Sequence, residues 1–317
     1  MNQHDLSLIL QALSASGAAF VLGAGASAPD VPTLAQLAKA IARKANRLYS
    51  FPASTIPRSG LRDLMQPVLD QAQATSDLTE WKAGAMTTAT IAVILEQIIS
   101  GAHHVSLPQY RVFSLFSLES SVVSFNWDGL AIARCPQRTV LHPHGIVQPR
   151  ILSEAAFNDL LFDTQQIDEP TARHWYLPGI VLPGEEISPA LGPVREEVLR
   201  LWMNARSLVV VGYSFGLASH VAYDEVWLDS FAEAYSRNLE APVHVFAPDA
   251  PLIRQALCER MKRNIDVFAW PLKWNVLSSV LLESAARHPI PLAGLRLDSN
   301  QMDSMLRTIS ERSEQTE

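Results

Sequence analysis

Four short segments of the chain place glycine or polar residues where an apolar run ends. The first is Gly23-Ala24-Gly25-Ala26-Ser27. Glycines in such a turn let main-chain N–H groups approach a phosphate at the start of a helix, although the same turn can serve packing alone. An acidic residue about 20 positions further on is typical of dinucleotide dehydrogenases, but this chain has Arg43, Lys44 and Arg47 there. The segment predicts a nucleotide site and argues against hydride transfer.

The second segment is Ser124-Phe125-Asn126-Trp127-Asp128-Gly129, which follows an apolar run. Open α/β sheets bind their ligands outside the carboxyl ends of the strands. Asn126 and Asp128 are therefore predicted to touch a ligand. The alternative is an Asn/Asp turn that only ends the strand.

The third segment is Leu141-His142-Pro143-His144-Gly145. Histidine titrates near neutral pH, so His144 could accept a proton during a reaction. No Cys, Asp or Glu stands beside the two histidines at a spacing that suits a metal site. We therefore expect no metal here.

The fourth segment, Gly212-Tyr213-Ser214-Phe215-Gly216, supports two interpretations. Read as G-x-S-x-G after a strand, it predicts a nucleophile elbow, and Asp249 and His288 then complete the hydrolase order Ser, Asp, His. In the other interpretation, Gly212 and Ser214 close over the phosphates and ribose of a nucleotide, because both are small and the serine offers a hydroxyl.

Apolar runs predict the strands that must position these segments. A continuous apolar run bounded by turn residues is typical of a buried parallel strand. Residues Val194, Val198, Leu199 and Trp202 have helical spacing and supply a crossover between strands. The predicted class is α/β, a Rossmann-like doubly wound parallel sheet with an inserted helical module. Its strands are expected at residues 18–22, 121–125, 139–141, 208–211, 243–247 and 265–269.

The same patterns predict the domain organisation. The core comprises residues 1–50, 115–148 and 180–290, including a helix at 34–48. A helical insertion at 51–114, with a helix at 87–100, joins 149–179 in a smaller module. The polar tail at 299–317 is expected to be a short exposed helix or a frayed end.

Composition excludes several classes of function. The 317 residues are 48% hydrophobic and 18% charged, as in ordinary globular proteins. A net charge of -7 and a pI near 5.7 argue against binding nucleic acid. Two cysteines allow neither a four-thiolate zinc site nor a disulfide framework, which favours the cytoplasm. The uncharged stretch between Asp5 and Asp30 contains Gln11, Gly17 and several serines, so we expect no membrane span and no signal peptide.

Taken together, the segments resemble the SIR2 family of sirtuin-like NAD-binding proteins. The resemblance covers about residues 18–250 and follows family order. It implies a Rossmann-like NAD domain and a smaller module. The matching segments are Gly23-Ala-Gly25-Ala-Ser27, Phe125-Asn126-Trp127-Asp128, His144-Gly145, Pro178-Gly-Ile-Val-Leu-Pro-Gly184-Glu185 and Gly212-Tyr-Ser214.

The resemblance also implies roles for single residues. The pyrophosphate would be held by the glycine turn, with Gly23, Ala24, Gly25 and Ser27 as its binding residues. Asn126 and Asp128 would line the nicotinamide-ribose part of the site, and His144 would be the base. The adenosine side would be bound by Gly212, Ser214 and Asp249.

Two departures from the family pattern narrow the expected activity. Family deacetylases carry four zinc cysteines after the His-Gly, and the stretch Ile146 to Glu185 has none. They also carry Asp-Phe-Arg where this chain has Asp30-Val31-Pro32-Thr33. The chain looks more like the zinc-free bacterial SIR2-like NAD hydrolases of anti-phage defence. That likeness implies NAD+ as substrate, no metal, a homo-oligomer and an activating partner protein. A serine hydrolase, an NAD-dependent protein deacylase and a non-catalytic NAD or ADP-ribose sensor remain as alternatives.

Overall fold

The computed structural model describes residues 1–31, 107–146, 192–215, 217, 225–238, 240–261, 266–287 and 297–315. The chain divides into two compact units. The first comprises Met1–Pro29, Ser106–Pro143 and Glu186–Glu317. The second comprises Asp30–Val105 and His144–Glu185, of which residues 30–31 and 144–146 are described.

A six-stranded parallel sheet forms the centre of the first unit. Its strand order is β3-β2-β1-β4-β5-β6, which is the Rossmann order. This confirms the predicted fold class, and the strands lie within two residues of their predicted positions. They are β1 (Ala18–Leu22), β2 (Ser121–Ser124), β3 (Val140–Leu141), β4 (Ser207–Val211), β5 (Val243–Phe246) and β6 (Val267–Trp270).

Helices cover both faces of this sheet. The described helices are α1 (Gln3–Ser14), α2 (Ala24–Ser27), α3 (Pro108–Arg111), α4 (Leu130–Arg134), α5 (Gly192–Met203), α6 (Glu225–Arg237), α7 (Ala250–Met261), α8 (Trp274–Arg287) and α9 (Ser299–Glu314), with a 3-10 turn at Val112–Leu115. On one face, Trp202 of α5, Phe231 of α6 and Leu257 of α7 pack in one core with Val210 of β4. All five residues of β1 and all five of β4 are buried, as expected for strands covered on both sides.

The other face carries an aromatic core. The ring of Phe20 on β1 lies 4.9 Å from Phe113 and 5.2 Å from Phe116, measured between centroids. Phe246 on β5 lies 5.8 Å from Trp274, the first residue of α8. Because neighbouring residues of a strand point to opposite faces, one strand supplies both cores.

The polar tail forms α9, a helix of 16 residues with a buried face. Asp298 caps it, and Met305 and Ile309 are buried at a spacing of one helical turn. Residues 299–314 thus form a helix, as one of the two expectations had it, but the helix has a buried face and does not fray. The helix is stable to its first turn because the Asp298 side chain accepts a hydrogen bond from a main-chain N–H of that turn, and it packs on the protein through Met305 and Ile309.

Several predicted features lie outside the described residues. These are the helices at 34–48 and 87–100, the segment 149–179, the motif Pro178–Glu185, and His288. Within the described ranges, no helix is long and apolar enough to cross a membrane, and no group of three potential metal ligands occurs. Cys135 and Cys258 are both free.

Candidate functional site

Strand register brings the loops of the site together. Leu22, the last residue of β1, pairs with Ser124 of β2 and with Val211 of β4. Val211 in turn pairs with Phe246, the last residue of β5. Four strands thus end at one level, so the segments that follow them start side by side. The order reverses between β1 and β4, which is where Rossmann sheets form their ligand crevice.

The glycine turn after β1 packs directly on the turn after β4. Gly23 N–H donates to the carbonyl of Val211 and Gly25 N–H to that of Gly212, both at 3.0 Å. A Cβ on Gly23 would lie 2.5 Å from Tyr213 Cα, and one on Gly25 would lie 2.8 Å from Gly212 Cα. The two glycines are therefore required for close packing, and their amide hydrogens are already bonded within the protein.

Gly212 forms the other side of this contact, in the turn after β4. Its φ of 57° lies in the left-handed region, and a Cβ there would lie 2.4 Å from Gly25 Cα. Its N–H donates to the carbonyl of Phe246 at 2.8 Å. The turns after β1, β4 and β5 are thus linked by main-chain bonds at the switch point of the sheet.

Ser27, at the end of α2, lies in a buried polar cluster. Its Oγ donates to Asp128 Oδ2 at 2.5 Å, and it is fully buried. It accepts a hydrogen bond from Asn126 Nδ2 at 2.9 Å. The Tyr110 hydroxyl lies 2.7 Å away and donates, because the single hydrogen of Ser27 is already used. The serine therefore makes three hydrogen bonds, which is the capacity of a hydroxyl.

Asn126 is held by both hydrogens of its side-chain amide. Besides Ser27 Oγ, Nδ2 donates to the carbonyl of Gly23 at 2.9 Å. The side chain thus joins the loop after β2 to the glycine turn. Of the hydrogen bonds in the described part of the chain, none goes to Asn126 Oδ1. This carbonyl oxygen is the atom of the side chain that can accept a hydrogen bond from a ligand.

Asp128 is only 2% exposed and directs its carboxylate into the protein. Oδ1 accepts from Leu130 N–H at 3.0 Å, and Oδ2 accepts from Ser27. Burial, and next the negative charge of Asp128, raise the pKa of Tyr110 well above its ordinary value. Asp128 can therefore act on a ligand through its charge, while its hydrogen bonds order the loop.

Gln109 and Tyr110 also contact Ser27, although both lie outside the sequence motifs. Gln109 Nε2 donates to the main-chain carbonyl of Ser27 at 3.3 Å, and the main-chain carbonyl of Gln109 accepts from Trp274 Nε1 at 2.9 Å. Both residues are 1% exposed. Nothing in the sequence around Pro108 indicated that Tyr110 would have a partner 83 positions earlier.

The two histidines of the third segment lie in different units. His142 follows β3 directly, and its Nδ1 lies 3.1 Å from the main-chain carbonyl of Asn126. Burial lowers the pKa of His142 below its ordinary value, against an opposing effect of this hydrogen bond. His144 begins the second part of the second unit and is half-buried. The contact to the loop after β2 thus comes from His142.

The turn after β4 places Ser214 half-buried, with its carbonyl accepting from Leu217 N–H at 2.9 Å. Positive φ values occur at Gly212 and at the buried Phe215. A nucleophile elbow instead places its serine on the strained position of the turn. The carbonyl of Asp249 accepts the N–H groups of Leu252 and Ile253 at the start of α7. Among the described residues, no hydrogen bond joins Ser214 to Asp249.

Several solved structures are similar to this chain, among them two of Sir2 proteins. No protein-family model matches the chain, and no curated protein matches it. One structure is SIR2 in complex with the inhibitor EX-527, 2'-O-acetyl-ADP-ribose and a deacetylated p53 peptide. It is 13% identical, with a TM-score of 0.41, over 90% of this chain and 99% of that one. The other, solved for the mechanism and regulation of Sir2 enzymes, is 16% identical, with a TM-score of 0.40, over 88% and 96%. The fold assignment rests on the strand order described above.

Proposed function

We propose that this protein cleaves the N-glycosidic bond of NAD+ and releases nicotinamide and ADP-ribose, with water as the acceptor. One observation carries the proposal: the Asn126 amide is fixed beside the glycine turn at the switch point, and its Oδ1 accepts no hydrogen bond from the described residues, so a ligand can donate to it. The five motifs that resemble the SIR2 family support NAD+ as the substrate. The absence of cysteines between Ile146 and Glu185 favours hydrolysis over protein deacylation.

In this proposal each residue has a defined task. Loss of nicotinamide gives the ribose C1' oxocarbenium character, so the site must hold the sugar and stabilise positive charge. Asn126 Oδ1 would accept a hydrogen bond from a ribose hydroxyl or from the attacking water. The buried carboxylate of Asp128 would stabilise the cationic sugar through its charge. His144 would take the proton from the hydroxyl or the water.

The remaining binding residues would hold the rest of the dinucleotide. The turn of Gly23, Ala24 and Gly25 would lie against the pyrophosphate, and Ser27 would fix that turn from within the protein. Ser214 and Asp249 follow β4 and β5, on the other side of the switch point, and would contact the adenosine half. Gly212 would allow the close approach of the two turns.

The test is to incubate the purified protein with NAD+ and to measure free nicotinamide by chromatography. We expect release without any added peptide once the protein is concentrated enough to assemble or its activating partner is present. Release only in the presence of an acylated peptide would identify a deacylase instead. Binding of NAD+ without release, with concentrated protein and with the proteins encoded by its neighbouring genes present, would identify a sensor. Labelling of Ser214 by a fluorophosphonate, with no nicotinamide formed, would favour the serine hydrolase.

Two variants assign the roles. Asn126→Ala and His144→Ala should each lower nicotinamide release by about 10²–10⁴-fold, the usual cost of removing a positioned catalytic group. Asn126→Ala also removes two buried hydrogen bonds, so a matched control is needed. Asn238 likewise donates both amide hydrogens to two carbonyls, those of Trp202 and Ala205. Asn238→Ala should keep full activity, and unchanged turnover in both site variants would refute the assignment.

We further propose that the protein acts as an NAD-depleting effector of bacterial anti-phage defence, held inactive until a trigger arrives. A constantly active NAD hydrolase would drain its own cell, so a resting state of low activity is required. Assembly into a homo-oligomer, or binding of a partner protein from the same defence system, would supply that control. Full, steady activity of the dilute monomer would contradict it.

A further inference from the structure

The segment that follows β3 reaches the loop that carries Asn126. Val123 of β2 pairs with Leu141 of β3, so His142 leaves the sheet beside the end of β2. There its Nδ1 lies 3.1 Å from the Asn126 carbonyl oxygen. A carbonyl oxygen can only accept, so Nδ1 carries the hydrogen and donates.

Within the described residues, two hydrogen bonds hold the main chain of Asn126, and the bond from His142 is the shorter. The other runs from Asn126 N–H to Ser124 Oγ at 3.3 Å. The side-chain amide is bonded separately, to Gly23 and Ser27. Residue 126 is thus fixed from three directions, and His142 supplies the one that comes from β3.

We propose that His142 is a positioning residue, whose ring N–H holds the Asn126 peptide and thereby aims Asn126 Oδ1 at the substrate. The inference rests on the proposed function for the identity of that substrate. It assigns a task to a histidine that has no role in the sequence motifs. Without the donor, the buried carbonyl would lose its partner and the loop after β2 would reorient to regain one.

The tautomer follows from the same contact. When the hydrogen of the neutral ring is on Nδ1, Nε2 carries a lone pair and no hydrogen. Nε2 is buried and has no hydrogen-bond partner among the described residues. Burial favours the neutral ring, since it lowers the pKa of His142. A donor of fixed direction is what a positioning role requires.

A pair of variants separates donation by Nδ1 from any task of Nε2. Asn at position 142 can present an N–H close to where Nδ1 stood, whereas Leu fills similar space without a donor. His142→Leu should lower kcat for nicotinamide release by about 10²-fold, since small misplacements of a reacting geometry have that effect. KM should change by no more than about threefold if substrate binding is intact. His142→Asn should restore kcat to within about tenfold of the wild type.

Two kinetic results would overturn the proposal. A His142→Leu protein with wild-type kcat would show that the contact does not position Asn126 for the reaction. A His142→Asn protein as slow as His142→Leu would show that the ring acts through Nε2. Circular dichroism and thermal unfolding of both variants, compared with Asn238→Ala, identify any loss of folded protein.

A second measurement does not depend on activity. The ring nitrogens of ¹⁵N-labelled histidines report the tautomer by NMR, and the signal missing from His142→Asn assigns His142 among the nine histidines. We expect a neutral ring protonated at Nδ1, and protonation at Nε2 would overturn the proposal. A wild type that releases no nicotinamide even when concentrated and with its activating partner present, but shows the Nδ1–H tautomer, would refute the proposed function and leave the contact to Asn126 standing.

Discussion

A single hydroxyl, that of Ser27, ties the candidate site together. It donates to Asp128 and accepts from Asn126 and Tyr110, so its hydrogen-bonding capacity is filled inside the protein. Such a residue contributes to ligand binding by fixing the turn it belongs to. The same holds for Asp128, whose two oxygens both accept hydrogen bonds. Among the described residues, none donates a hydrogen bond to Asn126 Oδ1, which leaves this acceptor for a ligand.

Tyr110→Phe tests whether this cluster depends on its phenol. The variant keeps the ring and removes one donor to Ser27, so we expect a loss of about 1 kcal/mol in the free energy of unfolding. Tyr235→Phe is the matched control, because Tyr235 is 4% exposed and its hydroxyl makes no hydrogen bond within the described residues. Urea unfolding measures both. Equal stability of the two variants would show that the Tyr110 bond contributes nothing.

Glycines connect the turns after β1 and β4, and Gly212→Ala tests that contact. The variant combines a strained positive φ with a Cβ 2.4 Å from Gly25 Cα. Gly17→Ala is the control that has the backbone strain without the close contact. The φ of Gly17 is 76°, and a Cβ there would lie 3.8 Å from Arg206 Cγ, which is an ordinary contact. Gly17→Ala should cost about 1–2 kcal/mol. Gly212→Ala should cost about 1–3 kcal/mol more, from overpacking. Similar unfolding midpoints in urea for the two variants would contradict close packing between the turns after β1 and β4.

The edge of the sheet at β5 and β6 contains a buried histidine. His244 is 2% exposed, stacks on Phe268 with centroids 4.8 Å apart, and accepts a hydrogen bond from Trp270 Nε1 at 3.2 Å. Burial lowers the pKa of His244 to about 4. Between pH 6.5 and 4 the unfolded chain therefore binds a proton that the folded protein excludes. Folding stability should fall as the pH falls through this range.

His244→Phe should remove that dependence. We expect the wild type to lose about 3 kcal/mol of stability from this group between pH 6.5 and 4. The phenylalanine variant keeps the stacked ring and should lose correspondingly less. His4→Gln, at an exposed position of α1, should behave as the wild type. Urea unfolding at several pH values gives the slopes, and equal slopes for the wild type and His244→Phe would refute the assignment.

The sheet could be predicted from the sequence, but much of the site could not. Buried parallel strands are continuous apolar runs, which are visible locally, and a run such as 208–211 needed only one further residue at its start. The last strand was expected at 265–269 and lies at Val267–Trp270, since the apolar run alone did not mark its ends. The contacts of Tyr110 and His142 depend on which atoms the fold brings within 3 Å or so of each other. No spacing rule carries that information.

Over the whole molecule, the first and last helices meet. Gln3 Nε2 on α1 donates to Ser299 Oγ at 2.7 Å and to Asp303 Oδ1 at 2.8 Å, both at the start of α9. Further along α9, Arg312 forms an ion pair at 2.8 Å with Glu283 on α8. These polar contacts are exposed, and exposed ion pairs contribute little to stability. The energy that holds α9 in place must then come from its buried side chains, Met305 and Ile309.

Ile309→Ala tests whether α9 is part of the cooperative fold. Ile309 is 4% exposed, and removing its buried methyl groups should cost about 2–5 kcal/mol if α9 unfolds together with the sheet. Ile132→Ala is the matched control, because Ile132 also lies on a helix but is 50% exposed, and it should change stability by no more than about 0.5 kcal/mol. Both are measured by urea unfolding, followed by tryptophan fluorescence and circular dichroism. If Ile309→Ala matched the control, or if only a small part of the helical signal were lost early, α9 would be an appendage that unfolds separately.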